Sequence, residues 1–180
     1  MTGYEHDSQT PFSTIHQRNL IAHFSGQGIE NGFLGYDIRS HTATIWDSGD
    51  KTFTLTNSNQ LGQAVVSVLE HPSETANQYL YVASVVTSQK EILNALEEAT
   101  STKWKVSYTT TEEQVSGGKE KIGKGDFTGA FTLVRATNFG NIDGLRANYT
   151  TEEKLANDLL GLKLESLNET IRQVVKRSST

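Results

Sequence analysis

Proton transfer, metal binding and nucleophilic attack each need particular side chains at particular spacings, and this chain offers few of them. Its five histidines, His6, His16, His23, His41 and His71, never fall three or four residues apart, the spacing that lets one helix present two imidazoles to a metal ion. His16 and His23 flank an aromatic-rich stretch, so they are candidates for a shared pocket; a surface or hydrogen-bonded imidazole is the alternative for each. Cysteine is absent, which excludes a disulfide framework, thiolate metal ligands and a thiol nucleophile, and fits a reducing compartment. No serine sits in a G-x-S-x-G elbow. A tyrosine becomes a useful general acid when a lysine one helical turn along lowers its pKa. Here Tyr4, Tyr36, Tyr79, Tyr81, Tyr108 and Tyr149 are followed four residues later by Ser8, Ser40, Ala83, Val85, Glu112 and Glu153.

Phosphate binding is no better served. Gly26-Gln-Gly28-Ile-Glu-Asn31 is a near miss to G-x-G-x-x-G, but the motif works only when a strand feeds the glycine turn and a helix N-terminus follows it. The nearest expected strand ends some ten residues earlier, and further glycines stand where the helix should run. Gly123-Lys-Gly125 lacks the earlier glycine and the following Ser or Thr of a P-loop. Asp47 and Asp50 read as turn residues, and Glu112-Glu113 and Glu152-Glu153 as acids in first helical turns, where they complement the dipole. Taken residue by residue, no catalytic constellation emerges.

The elements that must position these groups are easier to read. With 180 residues, 35% hydrophobic and 21% charged, the chain has enough apolar material for one ordinary core. Thr42–Trp46 and Thr52–Thr56 alternate on either side of Asp47-Ser-Gly-Asp50, which predicts a β-hairpin. Asn57 or Ser58 should cap a helix to about Leu69, stopped by His71-Pro72. Residues 12–16, 78–85 and 103–109 read as strands. Ser88-x-x-Glu91, Thr110-x-x-Glu113, Thr150-x-x-Glu153 and Ser166-x-x-Glu169 read as helix starts, and Asp126 opens another helix through Phe139. Residues 1–11 are polar and expected to be disordered or irregular. The sum is an α+β chain with too few strands for a doubly wound sheet of its own.

Six collinear segments carry a resemblance. GIENGFLGYDI (28–38), TATIWDSGDKTFTLTN (42–57), LGQAVVSVLEHPSETANQYLYVAS (61–84), TSQKEILNALEEATSTKWKV (87–106), KGDFTGAF (124–131) and NDLLGLKLESLNETIRQVV (157–175) resemble the NmrA-like proteins, relatives of the isoflavone reductases. The resemblance runs from about Phe12 to the C-terminus. It implies an α/β fold: residues 12–180 would be the C-terminal, substrate-covering part of an NAD(P)-binding Rossmann-type reductase, with the dinucleotide-binding half missing. FSTIHQRNLIAHF would be the late sheet strand and loop facing substrate, and GIENGFLGYD a cavity wall, which makes Asn19, Phe24, Phe33 and Tyr36 pocket candidates beside His16 and His23, with core packing the equal alternative for the aromatics. The family's glycine fingerprint and NADP-selecting basic residue have no counterpart, and its general-base lysine would lie upstream of the match. No cofactor is therefore expected to bind this chain alone.

Three functions fit that picture. The first is a truncated relative of NAD(P)-dependent reductases acting on aromatic or secondary-metabolite substrates. The second is a non-redox small-molecule binder, isomerase or cyclase using the same cavity through His16 or His23. The third is a regulatory interaction module. Self-association or a partner chain is expected at an uncovered sheet edge. A net charge of −5 with dispersed lysines argues against nucleic acid. No apolar run approaches a membrane span and no leader pattern is present, so a cytoplasmic protein is expected, and Asn148-Tyr-Thr150 and Asn168-Glu-Thr170 are chance sequons.

Overall fold

The computed structural model describes residues 14–15 and 25–178. Its centre is β3 (Thr42–Trp46), whose β-branched and aromatic residues suit a half-buried pleat. β3 lies between β2 (Tyr36–Asp37), antiparallel with Tyr36 opposite Ala43, and β7 (Lys105–Thr109), parallel from Thr42 opposite Lys105 to Trp46 opposite Thr109. β4 (Phe53–Leu55) does not fold back on β3; it pairs antiparallel with β6 (Val85–Thr87) in a separate sheet. The expected hairpin is thus corrected.

The reason is that both edges of β3 are already taken. On one side stands β7. On the other, β2 reaches only as far as Ala43, and the buried side-chain amide of Gln89 fills the rest: it donates to the Thr44 carbonyl at 3.2 Å and accepts from the Trp46 N–H at 2.9 Å. A returning β4 would find no free hydrogen-bonding row. The turn supplies the change of direction instead. Asp47 (φ 51°) binds the Thr111 N–H at 2.9 Å and the Thr111 hydroxyl at 2.5 Å. Gly49 (φ 72°) lies where a Cβ would meet Ile45 Cγ2 at 2.5 Å, so only glycine passes.

The predicted strand over 78–85 is also two pieces in two sheets. β5 (Tyr79–Leu80) pairs parallel with β1 (Thr14–Ile15), Thr14 opposite Tyr79. Between β5 and β6 the chain changes neighbours, and a second amide guides it. Asn157 accepts from the Ala83 N–H at 3.1 Å and donates to the Ala83 carbonyl at 2.7 Å.

Helix starts follow local chemistry. Asn57 caps α2 (Ser58–Glu70) by accepting from the Gln60 N–H at 2.8 Å, and α3 (Pro72–Thr75) begins where Pro72 ends it. Ser88 caps α4 (Gln89–Thr100). Thr110 and Glu113 form both halves of a capping box on α5 (Thr111–Gly123). α6 (Thr128–Phe139) packs on α5 so closely that a Cβ on Gly129 would stand 2.2 Å from the Gly118 carbonyl oxygen. α1 (Ser25–Glu30), α7 (Tyr149–Glu152), capped by Asn148 rather than opened by Thr150, and α8 (Leu167–Ser178) complete the set among the described residues.

The chain is mixed α/β with small sheets. Its larger core joins Tyr36, Ile45, Trp46, Phe53, Leu96, Trp104, Phe139 and Ile171. A smaller aliphatic cluster (Ala64, Val68, Leu80, Val82, Ala156, Leu160 and Leu162) lies under β5 and α2.

Candidate functional site

Four of the six predicted pocket residues, His16, Asn19, His23 and Phe24, lie outside the described residues. The other two have different surroundings. Tyr36 is a core residue, 1% exposed, its hydroxyl donating to the Gln89 carbonyl at 2.7 Å, and burial pushes its phenol well above the usual range. Phe33 is half-buried against α6, edge-on to Phe131 at 6.1 Å between centroids and under the Arg135 guanidinium at 5.8 Å. Gly26 and Gly28 fall inside α1. A dinucleotide cradle needs its glycines in an extended turn ahead of a helix, so this stretch does not fit the pyrophosphate.

Three of the open concavities among the described residues are of about 700 Å³. One, of about 700 Å³, is rimmed by Glu30, Glu165, Glu169 and Arg177. Its groups already serve the fold: Glu165 accepts from Asn57 Nδ2 at 2.7 Å and Gln60 Nε2 at 2.8 Å, and Arg177 binds Glu30 at 2.7 Å. A second, of about 690 Å³, includes Asp47 and Thr111, which are bonded to each other. Near it, Lys51 donates to the Gly140 carbonyl at the end of α6, and partial burial pulls its ammonium below the usual lysine range against the opposing pull of Glu152 and Asp47. Lys51 therefore serves the carbonyl end of a helix.

The third, of about 730 Å³, has a different wall. Successive side chains on a strand point to opposite faces, so Tyr79 and Tyr81 share one side of β5 and its extension, and both line this cleft. Tyr149 of α7 stands against Tyr81, ring centroids 5.5 Å apart and planes 31° apart. Tyr81 is fixed along its backbone by a bridge to Leu155, with the Ala156 N–H donating to the Tyr81 carbonyl at 2.8 Å. Gly144, Leu145 and Thr137 complete the wall, and Arg146 and Glu153 close the rim as an ion pair. Arg146 keeps 60% of its side chain exposed, Glu153 only 18%. The arrangement can hold a planar ring by stacking and a polar group at the rim.

Reading along the chain does not find this site. Tyr79 and Tyr81 register as strand formers, and Glu153 as an acid in a first turn. The available clue is the pair of tyrosines two apart, which places two phenols on one face of a strand. Arg146 carries no local mark. His41 (φ 50°) packs on Trp104 at 5.6 Å, and His71 Nδ1 lies 2.8 Å from the Ser67 carbonyl, so neither points to metal; among the described residues no group of His, Asp and Glu could hold an ion. No helix among the described residues is long and apolar enough to cross a membrane.

Two curated relatives of the chain are named oxidoreductases. The chain is 34% identical over 143 residues to the oxidoreductase poxI of Penicillium oxalicum, covering 79% of this chain and 46% of that protein. It is 34% identical over 148 residues to the oxidoreductase aprR of Aspergillus flavus, covering 82% and 49%. The chain thus spans about half the length of the curated relatives it matches. No family model matches it. Among solved structures, a nucleoside-diphosphate-sugar epimerase from Staphylococcus aureus superposes with a TM-score of 0.48 at 16% identity, over 75% of this chain and 44% of that one. The chain is therefore a relative of proteins named as oxidoreductases.

Proposed function

We propose that this chain is the substrate-binding part of an NmrA-like, isoflavone-reductase-like oxidoreductase, and that the cleft formed by Tyr79, Tyr81 and Tyr149 holds an aromatic substrate. The observation that carries the reading is the cleft itself: three tyrosines and an arginine converge on about 730 Å³ of open space from two distant stretches of chain. The relationship to the two oxidoreductases supplies the reaction class. The described residues offer no fit to a dinucleotide, since Gly26 and Gly28 are helical, so no hydride step is assigned to them.

What these residues do is bind and orient. Stacking on Tyr79 and Tyr81, with the buried Tyr149 ring behind Tyr81, fixes the plane of a ring, and the Thr137 hydroxyl and the Arg146–Glu153 rim fix its rotation within that plane. The test is a titration of the chain with 2-naphthalenemethanol, a neutral planar aromatic, followed by NMR. Shifts concentrated at Tyr79, Tyr81, Tyr149 and Leu145 are expected; shifts elsewhere, or none at millimolar ligand, would sink the reading. NADPH added to the same sample should leave the spectrum unchanged, and saturable binding would overturn the assignment of this chain to substrate alone.

A further inference from the structure

Resting on the reading of the cleft as an aromatic-substrate site, we infer that its ligand is a planar aromatic acid and that Arg146 selects the acid. A guanidinium presents five N–H donors in a rigid fork that matches a carboxylate with two parallel hydrogen bonds. Among the described residues Arg146 is engaged through Nη1 alone, with Glu153 Oε1, and the side chain remains 60% exposed. The rest of the fork is available from the solvent side, beside the tyrosine wall. A ring stacked on Tyr79 and Tyr81, with the buried Tyr149 behind Tyr81 and an acidic substituent at the ring's edge, would satisfy both surfaces at once.

The charges at the rim disfavour an aromatic cation and give a neutral ring no added contact. An aromatic cation, which tyrosine faces can attract, would meet the guanidinium, and Glu153, the acid lining the cleft, is already paired with it. A neutral aromatic gains the stacking and nothing more. Glu153 has a second effect: it holds Arg146 beside the rings while partly neutralising it, so an incoming carboxylate competes with Glu153 for the same donors.

Calorimetry on the 180-residue chain with 2-naphthoate and its neutral isostere 2-naphthalenemethanol, near pH 7 and at low salt, tests the inference. A charge-assisted fork should make 2-naphthoate bind about tenfold more tightly than the alcohol. Arg146→Gln should erase that gap by weakening the acid far more than the alcohol. Glu153→Gln should widen it, because the competing carboxylate is gone; a merely structural ion pair predicts no such gain. Equal binding of acid and alcohol by the unaltered chain overturns the acid preference while leaving the aromatic cleft standing. An equal loss for both ligands in Arg146→Gln overturns the selecting role. If neither ligand binds, the inference and the reading of the cleft fall together.

Discussion

Around β3 the chain buries Tyr36, Trp46, Phe53, Trp104 and Phe139, with the Trp46 and Phe53 rings 5.9 Å and 5.2 Å from that of Phe139. Around β5 it buries an aliphatic cluster and turns Tyr79 and Tyr81 toward a cleft. The same residue class is therefore used in two ways. In the first region aromatic rings fill space and lock helices onto a sheet, which makes that side stiff. In the second, phenols stand where a ring can stack and a hydroxyl can meet water, at the cost of a thinner core. The site sits on the region with less packing, held by backbone bonds and by Asn157 rather than by aromatic mass.

Truncation experiments should expose that difference most strongly. Phe53→Ala removes a fully buried ring from the larger core and is expected to cost about 4 kcal/mol, whereas Leu80→Ala in the smaller cluster should cost about 2.5 kcal/mol. Urea midpoints for the two variants decide it, and equal losses would show that the two clusters are equally tight.

The two strand-mimicking amides sharpen the comparison at the next level. Gln89→Leu and Asn157→Leu each strip two backbone groups of their partners, and each is expected to cost about 2 kcal/mol. Only Asn157→Leu should also weaken aromatic binding, because it loosens the chain that follows Tyr81. Thermal unfolding combined with the naphthalenemethanol titration separates these effects; a Gln89→Leu variant with impaired binding would mean the regions are coupled.

The smallest effect concerns acid. The Lys103 ammonium and the Trp104 N–H hold the Glu97 carboxyl below its ordinary value of 4.5. A lowered folded-state pKa means the stabilisation is full above that ordinary value and is lost as pH falls through the folded one. Stability should accordingly decline as pH falls below about 4.5, and Glu97→Gln should lower the plateau near neutrality and flatten that limb. Denaturant midpoints from pH 7 to pH 3 measure it, and an unchanged slope in the variant would remove Glu97 from the account.

Caps and helix limits were legible along the chain because they depend on neighbours within four residues. Asn57, Ser88 and the Thr110–Glu113 pair accept the N–H groups that the sequence pattern assigns to them. Strand partners were not. The alternation of 42–56 is real, yet it describes which faces are buried and says nothing of which edge is free, and Gln89, 45 residues from Thr44, had already claimed the edge a hairpin would use. The strand over 78–85 broke for the same reason, since Asn157, 74 residues from Ala83, redirects it. Tyr36, with cavity wall and core both open along the chain, is buried with its hydroxyl on the Gln89 carbonyl, a partner 53 residues away that no local window contains.

The sequence by itself determined the mixed α/β character, most helix starts and the poverty of catalytic motifs, because these follow from local hydrogen bonding and composition. Only the tertiary structure decided that Tyr79 and Tyr81 meet Tyr149 and Arg146. That cleft joins residues about 65 positions apart, and a long-range contact is specified by the packing of everything between them, which no short window of residues contains.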